Sequence, residues 1–280
     1  MSQQVSALEV EVLQTLLVTN DDGIDSPALP ALVHSLTTLE DVEVFVVAPE
    51  HEWSAGGHAI TIRHPVYADA LDDDRFGVGA WSVSGSPADC VKLAVYSLLP
   101  RRPDMVVSGI NLGYNLATDV LYSGTVAAAI ESVLAGVPAL AISSGRVDGT
   151  SGDYAFPARV AATMTEIATH IPQNPWLLNI NVPDRPRSEL AGIEFTELGP
   201  CPYEDKVLVG EDHAGRRCYH LAVDPSREVA EEGTDLAAVR AGKISITPLE
   251  VLRITQSHLL KWLSPFEESL HRRLLEEGES

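Results

Sequence analysis

The run Leu13-Gln14-Thr15-Leu16-Leu17-Val18-Thr19-Asn20 is apolar and β-branched and breaks off at Asp21-Asp22-Gly23, which reads as a buried strand ending in a turn. Helical spacing follows from Ser26 to Leu39, with Ser26 as the expected N-cap and Pro27 at the first helical position. Val42 to Ala48 is a second buried strand, closed by Pro49. Strand, helix and strand in that order imply a parallel pair with a right-handed crossover. The pattern repeats. Met105 to Ser108, Pro138 to Ser143 and Trp176 to Val182 read as further strands, and helices are expected over 88–99, 124–135 and 154–170. The fold class is therefore α/β, a doubly wound, mostly parallel, Rossmann-like sheet. His58 to Ala70 reads as a strand or hairpin excursion.

After Pro183 the texture changes. Gly192 to Leu198, Lys206 to Gly210 and Arg217 to Val223 read as strands with no helix between them, a β-rich arm. A turn at Thr234 to Arg240, a strand at Lys243 to Thr247 and an amphipathic helix over 256–275 close the chain. Without an internal repeat or low-complexity linker, residues 13–280 read as one domain, whose arm and C-terminal helix begin near 184, preceded by a flexible leader at 1–12. That leader lacks the basic region, apolar core and cleavage site of a signal peptide.

Forty Asp and Glu stand against 19 Lys and Arg, a formal net charge of −21, and only four of the basic residues are Lys. Such a chain repels phosphate backbones and anionic membranes, so neither a nucleic-acid polymer nor a membrane is an expected partner. Self-repulsion on this scale is relieved by salt, which suggests a halophilic, high-salt cytoplasm. The three scattered cysteines, Cys90, Cys201 and Cys218, also fit a reducing, cytoplasmic setting.

In an open parallel sheet, ligands bind beyond the carboxyl ends of the strands. Taken alone, Asp21-Asp22-Gly23 is a turn. Two adjacent carboxylates at a strand end, however, repel unless they are solvated or share a hard cation. After the second strand comes a glycine-rich loop with the hydroxyl of Ser54, followed by His58. After the strand at Met105, Asn111 and Asn115 offer neutral oxygens and amide donors suited to a metal and to phosphate. Ser123-Gly124-Thr125 opens the Ala-rich helix and places free N–H groups and hydroxyls at its positive end, an anion site or an ordinary N-cap. Glu50, His51 and Glu52 read as a solvated rim.

The chain resembles the survival protein SurE family through Leu17-Val18-Thr19-Asn20-Asp21-Asp22-Gly23, Val47-Ala48-Pro49 followed by Ser54, Gly85-Ser86-Pro87-Ala88-Asp89-Cys90, Pro103 to Asn111 and Tyr122-Ser123-Gly124-Thr125-Val126. Leu178 to Pro183, Gly233-Thr234-Asp235 and Ser245 to Leu249 extend the likeness. The resemblance implies a metal-dependent phosphomonoesterase that hydrolyses nucleoside 5′-monophosphates, a 5′-nucleotidase, with 3′-nucleotides and polyphosphate as further candidate substrates. It implies one divalent cation per subunit, Mg²⁺ or Mn²⁺, held by Asp21, Asp22, Ser54 and Asn111. Asp21 and Asp22 would act through metal-bound water, and the phosphate is expected at Asn115, Ser123, Gly124 and Thr125. A homodimer or dimer of dimers through the C-terminal arm is implied as well. One departure is that the family usually has Gly directly after the metal-binding Ser, where this chain has Ala55.

Two rivals share an acidic first strand end. A haloacid-dehalogenase-type phosphatase needs Asp-x-Asp, whereas Asp21 and Asp22 are adjacent. A receiver-like or nucleotide-sensing module needs a phosphorylatable Asp after a central strand, where this chain has Ser108 and Asn111, and a late Lys, for which Lys243 is the nearest candidate.

Overall fold

The computed structural model describes residues 14–72, 74–145, 154–168, 170–171, 175–200, 204–224 and 230–251. Every element named below lies in the compact unit Met1–Leu249; of the second unit, Glu250–Ser280, only residues 250 and 251 are described. The expected leader and the helix over 256–275 fall outside the described residues. Among those residues, no helix is long and apolar enough to cross a membrane.

In chain order the elements are β1 (Gln14–Thr19), α1 (Ala28–Leu36), β2 (Val42–Pro49), β3 (Ala68–Ala70), β4 (Gly79–Val83), α2 (Pro87–Leu93) and β5 (Met105–Leu112). There follow α3 (Gly124–Leu134), β6 (Ala139–Ser144), α4 (Ala155–Ala168), β7 (Leu177–Val182), β8 (Gly192–Phe195), β9 (Glu204–Glu211), β10 (Arg217–Asp224), α5 (Asp235–Arg240) and β11 (Lys243–Leu249). Nine strands form one sheet in the order β3-β4-β2-β1-β5-β6-β7-β11-β8. From β4 to β7 neighbours run parallel, whereas β3 is antiparallel to β4 and β11 is antiparallel to β7.

From β1 the chain winds outward through β2 to β4, then returns to β5 on the other side of β1. The gap beyond β1 and β5 is thus the topological switch point, where such sheets bind ligands. Leu16 and Val18 of β1 join the core under α1 and α4, while Leu17 is equally buried on the opposite side. There α2 packs with α3. A strand covered on both faces must be apolar throughout, which explains the unbroken run read from the sequence.

Several expected boundaries shift for local reasons. The first helix begins at Ala28, with Ser26 Oγ accepting from Ala28 N at 3.4 Å, and stops at Leu36. There the Thr37 and Thr38 hydroxyls donate to the carbonyls of His34 and Ser35. The expected helix to Leu99 is α2 followed by a wider turn over Ala94–Leu98, since Pro100 holds Leu99 extended at ψ 147°. A reciprocal cap starts α2: Asp89 N donates to Ser86 Oγ, and Ser86 N to the Asp89 carboxylate. Of His58 to Ala70 only β3 is strand, because side chains take upstream donors, Asp89 from Thr61 N and Ser84 from Tyr67 N.

The arm is smaller than expected. Only β9 and β10 form a separate two-stranded ribbon, while β8 and β11 join the main sheet. On β11 the Ile244–Ile246 row and the Ser245–Thr247 row are both buried, which requires sheet neighbours and cover on both faces. The turn expected at Thr234 is α5, capped by the Thr234 side chain.

Candidate active site

The turn after β1 is closed by its own first residue. Buried Asn20 donates from Nδ2 to Gly23 O at 2.9 Å and accepts from Gly23 N at 3.2 Å, which leaves the side chains of Asp21 and Asp22 at the head of the strand. Two neighbouring loops are fastened to this turn. Trp53 N donates to Asp21 O at 2.8 Å, and Gly57 N donates to Tyr122 O at 2.9 Å, tying the glycine-rich loop both to the acidic turn and to the start of α3.

Asn111 lies near the end of β5, where the register against β6 shifts between Ser108 and Asn111. Gly109 makes this possible: its φ is +139°, and a Cβ there would sit 2.4 Å from the Ile142 carbonyl oxygen. The Asn111 amide nitrogen donates to Gly113 O at 2.8 Å, which turns its carbonyl oxygen into the available ligand atom. Asn115 is buried and multiply held, its N donating to Asn181 Oδ1 at 2.9 Å and its Nδ2 to Ser143 Oγ at 2.8 Å. Ala117, at φ +50°, is clamped by the buried Asp235, whose Oδ2 accepts from Ala117 N at 2.7 Å. The far end of the chain thereby shapes the loop that carries Asn115.

Asp21, Asp22, Ser54, Asn111, Asn115 and Ser123 all line one crevice of about 680 Å³ at the switch point. Gly124 and Thr125 do not. The Thr125 hydroxyl donates to the Asp21 carboxylate, and the backbone N–H groups of Gly124 and Thr125 favour the same charged group. A Cβ at position 124 would come 2.6 Å from Asp21 Cβ, so glycine is what lets the helix start approach so closely. This helix N-terminus, expected from the sequence to meet a substrate phosphate through Gly124 and Thr125, also supports the chain's own Asp21 carboxylate. Ser123 acts as N-cap, its Oγ accepting from Val126 N at 3.1 Å, yet still faces the crevice.

Sequence reasoning set Glu52 aside as rim and did not single out Asp25, Asp119, Tyr114 or Tyr122, all of which line the crevice. Glu52 accepts a hydrogen bond from the Ser54 hydroxyl, leaving the lone pairs of Ser54 Oγ for another partner. Tyr114 has its hydroxyl bonded by Asp184 N at 2.8 Å, and burial raises its pKa. His58, which follows the glycine-rich loop, is absent from the crevice lining and is bonded to Glu131. A second cavity of about 700 Å³ opens beside the ends of β6 and β7, between Tyr154 and Arg187. It lacks the paired carboxylates that chemistry with a hard cation requires.

Burial pushes the Asp21 carboxyl above its ordinary pKa, opposed by the hydrogen bond from Thr125. A cation in the crevice would offset that desolvation cost. Among the described residues no group of three or more His, Cys, Asp or Glu could hold a metal ion. The crevice instead offers two carboxylates of one turn, an amide oxygen and a hydroxyl, an all-oxygen set that suits Mg²⁺ or Mn²⁺ better than a thiophilic metal.

A mostly parallel doubly wound sheet with an acidic, oxygen-lined crevice at its switch point defines the class of the protein. The model of the family described as survival protein SurE matches residues 16–205, and the chain belongs to that family. It is 44% identical over 239 residues to the 5′-nucleotidase SurE of Heliobacterium modesticaldum, covering 84% of this chain and 85% of that protein. It is 41% identical over 263 residues to the 5′-nucleotidase SurE of Carboxydothermus hydrogenoformans, covering 92% and 98%. The crystal structure of the SurE protein from Aquifex aeolicus matches with a TM-score of 0.77 at 35% identity, over 90% of this chain and 99% of that one.

Proposed function

We propose that this chain is a 5′-nucleotidase that hydrolyses nucleoside 5′-monophosphates to nucleoside and phosphate. The relatives that bear that name support the activity, and the observation that carries the site is the meeting of Asp21, Asp22, Ser54 and Asn111 on one crevice. These four would hold one divalent cation per subunit. When bound, such a cation supplies Lewis acidity toward a phosphoryl oxygen and toward the attacking water. Asp21, immobilised by Thr125, and Asp22 would orient a water for in-line attack on phosphorus while the ester P–O bond breaks, and a proton lost by the water would be balanced by one taken up at the released 5′-oxygen. Asn115 and Ser123 place amide and hydroxyl donors where the equatorial oxygens gather charge.

Asp25, Glu52 and Asp119 ring the crevice with further carboxylates, which supports a small substrate over a nucleic-acid chain, with 3′-nucleotides and polyphosphate as further candidates. A cytoplasmic homodimer that assembles through the β9–β10 ribbon completes the reading. Its support is the apolar surface that ribbon leaves open, with Val207, Leu208, Tyr219 and Leu221 all exposed.

Phosphate release from 5′- and 3′-nucleotides and polyphosphate, with Mg²⁺, Mn²⁺ or chelator, tests this for the wild type and Asp22→Asn. Hydrolysis of 5′-monophosphates that chelator and the substitution both abolish is expected. Unchanged activity in either case defeats the metal site, and a trapped aspartyl-phosphate defeats direct attack by water.

A further inference from the structure

Glu131 is a carboxylate buried on the Ala-rich helix α3, with 4% of its surface exposed. Its two oxygens are held from different elements. His58 Nε2, from the end of the glycine-rich loop, reaches Oε2 at 2.9 Å, and Lys92 Nζ, from α2, reaches Oε1 at 2.6 Å. Burial alone would push this carboxyl up, but the bonds from His58 and Lys92 outweigh it and hold Glu131 below its ordinary range. A buried charge that loses one of two partners is strongly destabilising, so both partners matter to the fold. Only one of them belongs to a loop of the crevice.

Ser54 stands on an awkward stretch. Ser54, Ala55 and Gly56 are exposed, and Ala55 adopts φ +55°, a conformation that side chains disfavour. Backbone bonds hold this stretch at Trp53 and Gly57, and the next residue is His58. Among the described residues, His58 to Glu131 is the one side-chain bond that joins 53–58 to a helix. That helix is α3, whose first turn already grips Asp21 through Thr125.

We propose that His58 and Glu131 are positioning residues that lock the Ser54 loop to α3, so that one rigid helix sets the separation of Ser54 from Asp21. The inference rests on the proposed metal site, and loop exchange tests it apart from that site. Neither residue lines the crevice, and His58 exchanges no proton with substrate in this scheme. Its role is to reduce the wandering of a ligand-bearing loop before the cation binds. Partners of this kind are typically worth about 10- to 100-fold in metal affinity or activity. Lys92 supplies the internal control, since it neutralises the same carboxylate from α2 and has no bond to the loop among the described residues.

The experiment compares the full-length wild type with His58→Ala, His58→Arg and Lys92→Met. Mn²⁺ affinity is read by titration calorimetry, amide exchange by mass spectrometry over residues 52–58, and the fold by melting temperature. Expected for His58→Ala is a loss of about 10-fold or more in Mn²⁺ affinity, with faster exchange over the loop. His58→Arg, whose guanidinium can reach the same carboxylate, recovers part of both. Lys92→Met lowers the melting temperature and leaves both readouts at wild-type values. Unchanged loop exchange in His58→Ala, or an equal change in Lys92→Met, overturns the proposal. If the wild type binds no Mn²⁺ and cleaves no nucleotide, the proposed function fails, and loop exchange still decides whether His58 and Glu131 hold the loop.

Discussion

Thr125, in the first turn of α3, donates its hydroxyl to the carboxylate of Asp21, 104 residues earlier in the chain. The helix start thus serves a protein anion and aims that anion at the crevice. A buried carboxylate needs such support, because desolvation raises its pKa and the hydrogen bond only partly compensates.

Asp21 therefore works against stability when no cation is present. With its folded-state pKa above the unfolded value, the native state binds more protons between the two, so stability present at low pH is lost as pH rises through the folded pKa. Asp21→Asn keeps an acceptor for Thr125 and removes the charge. In chelator at pH 7.5 the variant is expected to melt above the wild type while lacking phosphatase activity. Thermal melts in chelator decide it, and a variant that melts lower contradicts the account.

Ala55 offers a second stability prediction. A left-handed alanine costs roughly 1–2 kcal/mol, against about 0.5–1 kcal/mol of extra backbone entropy lost by a glycine on folding. At φ +55° the first cost applies in full, so Ala55→Gly is expected to stabilise the chain slightly. For a chain of this size that amounts to a rise of about 2 °C in melting temperature. A fall would mean that the side chain of Ala55 makes a compensating contact.

Asp21, Asp22, Ser54 and Asn111 were legible in the sequence as groups that follow apolar, strand-like runs, and the SurE resemblance implied them as one ligand set. The switch-point rule then brought their loops together. The bond from Thr125 to Asp21 was not legible, since no local pattern says that a helix start also meets a carboxylate from another loop. Glu131 was hidden for the same reason, as one acid in an Ala-rich helix reads as a solvated position until His58 and Lys92 are seen around it. The place of β11 was also obscure. Alternation over Lys243–Leu249 fits a ribbon or a sheet equally, and only its pairing with β7 and β8 settles the matter.

Glu131 should leave a mark on acid stability. Its folded-state pKa lies below the unfolded value, so its contribution is present above the unfolded pKa and is lost as pH falls through the folded one. Wild type is expected to melt well above Glu131→Gln at pH 7, where the paired carboxylate is fully charged. The gap should narrow steadily as pH is lowered beneath the usual carboxylate range. A gap that stays constant with pH would assign the loss to packing instead of charge.

The net charge of −21 makes the last prediction. Repulsion among carboxylates acts over a Debye length of about 10 Å at 0.1 M salt but only about 3 Å at 1 M. Described ion pairs such as Arg75–Asp25 and Lys243–Glu194 neutralise few of the 40 acidic residues, so much of the repulsion is left for salt to screen. The melting temperature is expected to rise between 0.1 M and molar KCl. Sucrose at matched osmolality should give a smaller rise, because it strengthens burial without screening charge. Equal melting temperatures at both salt levels would mean that water alone accommodates the acidic surface, and the halophilic reading would fall.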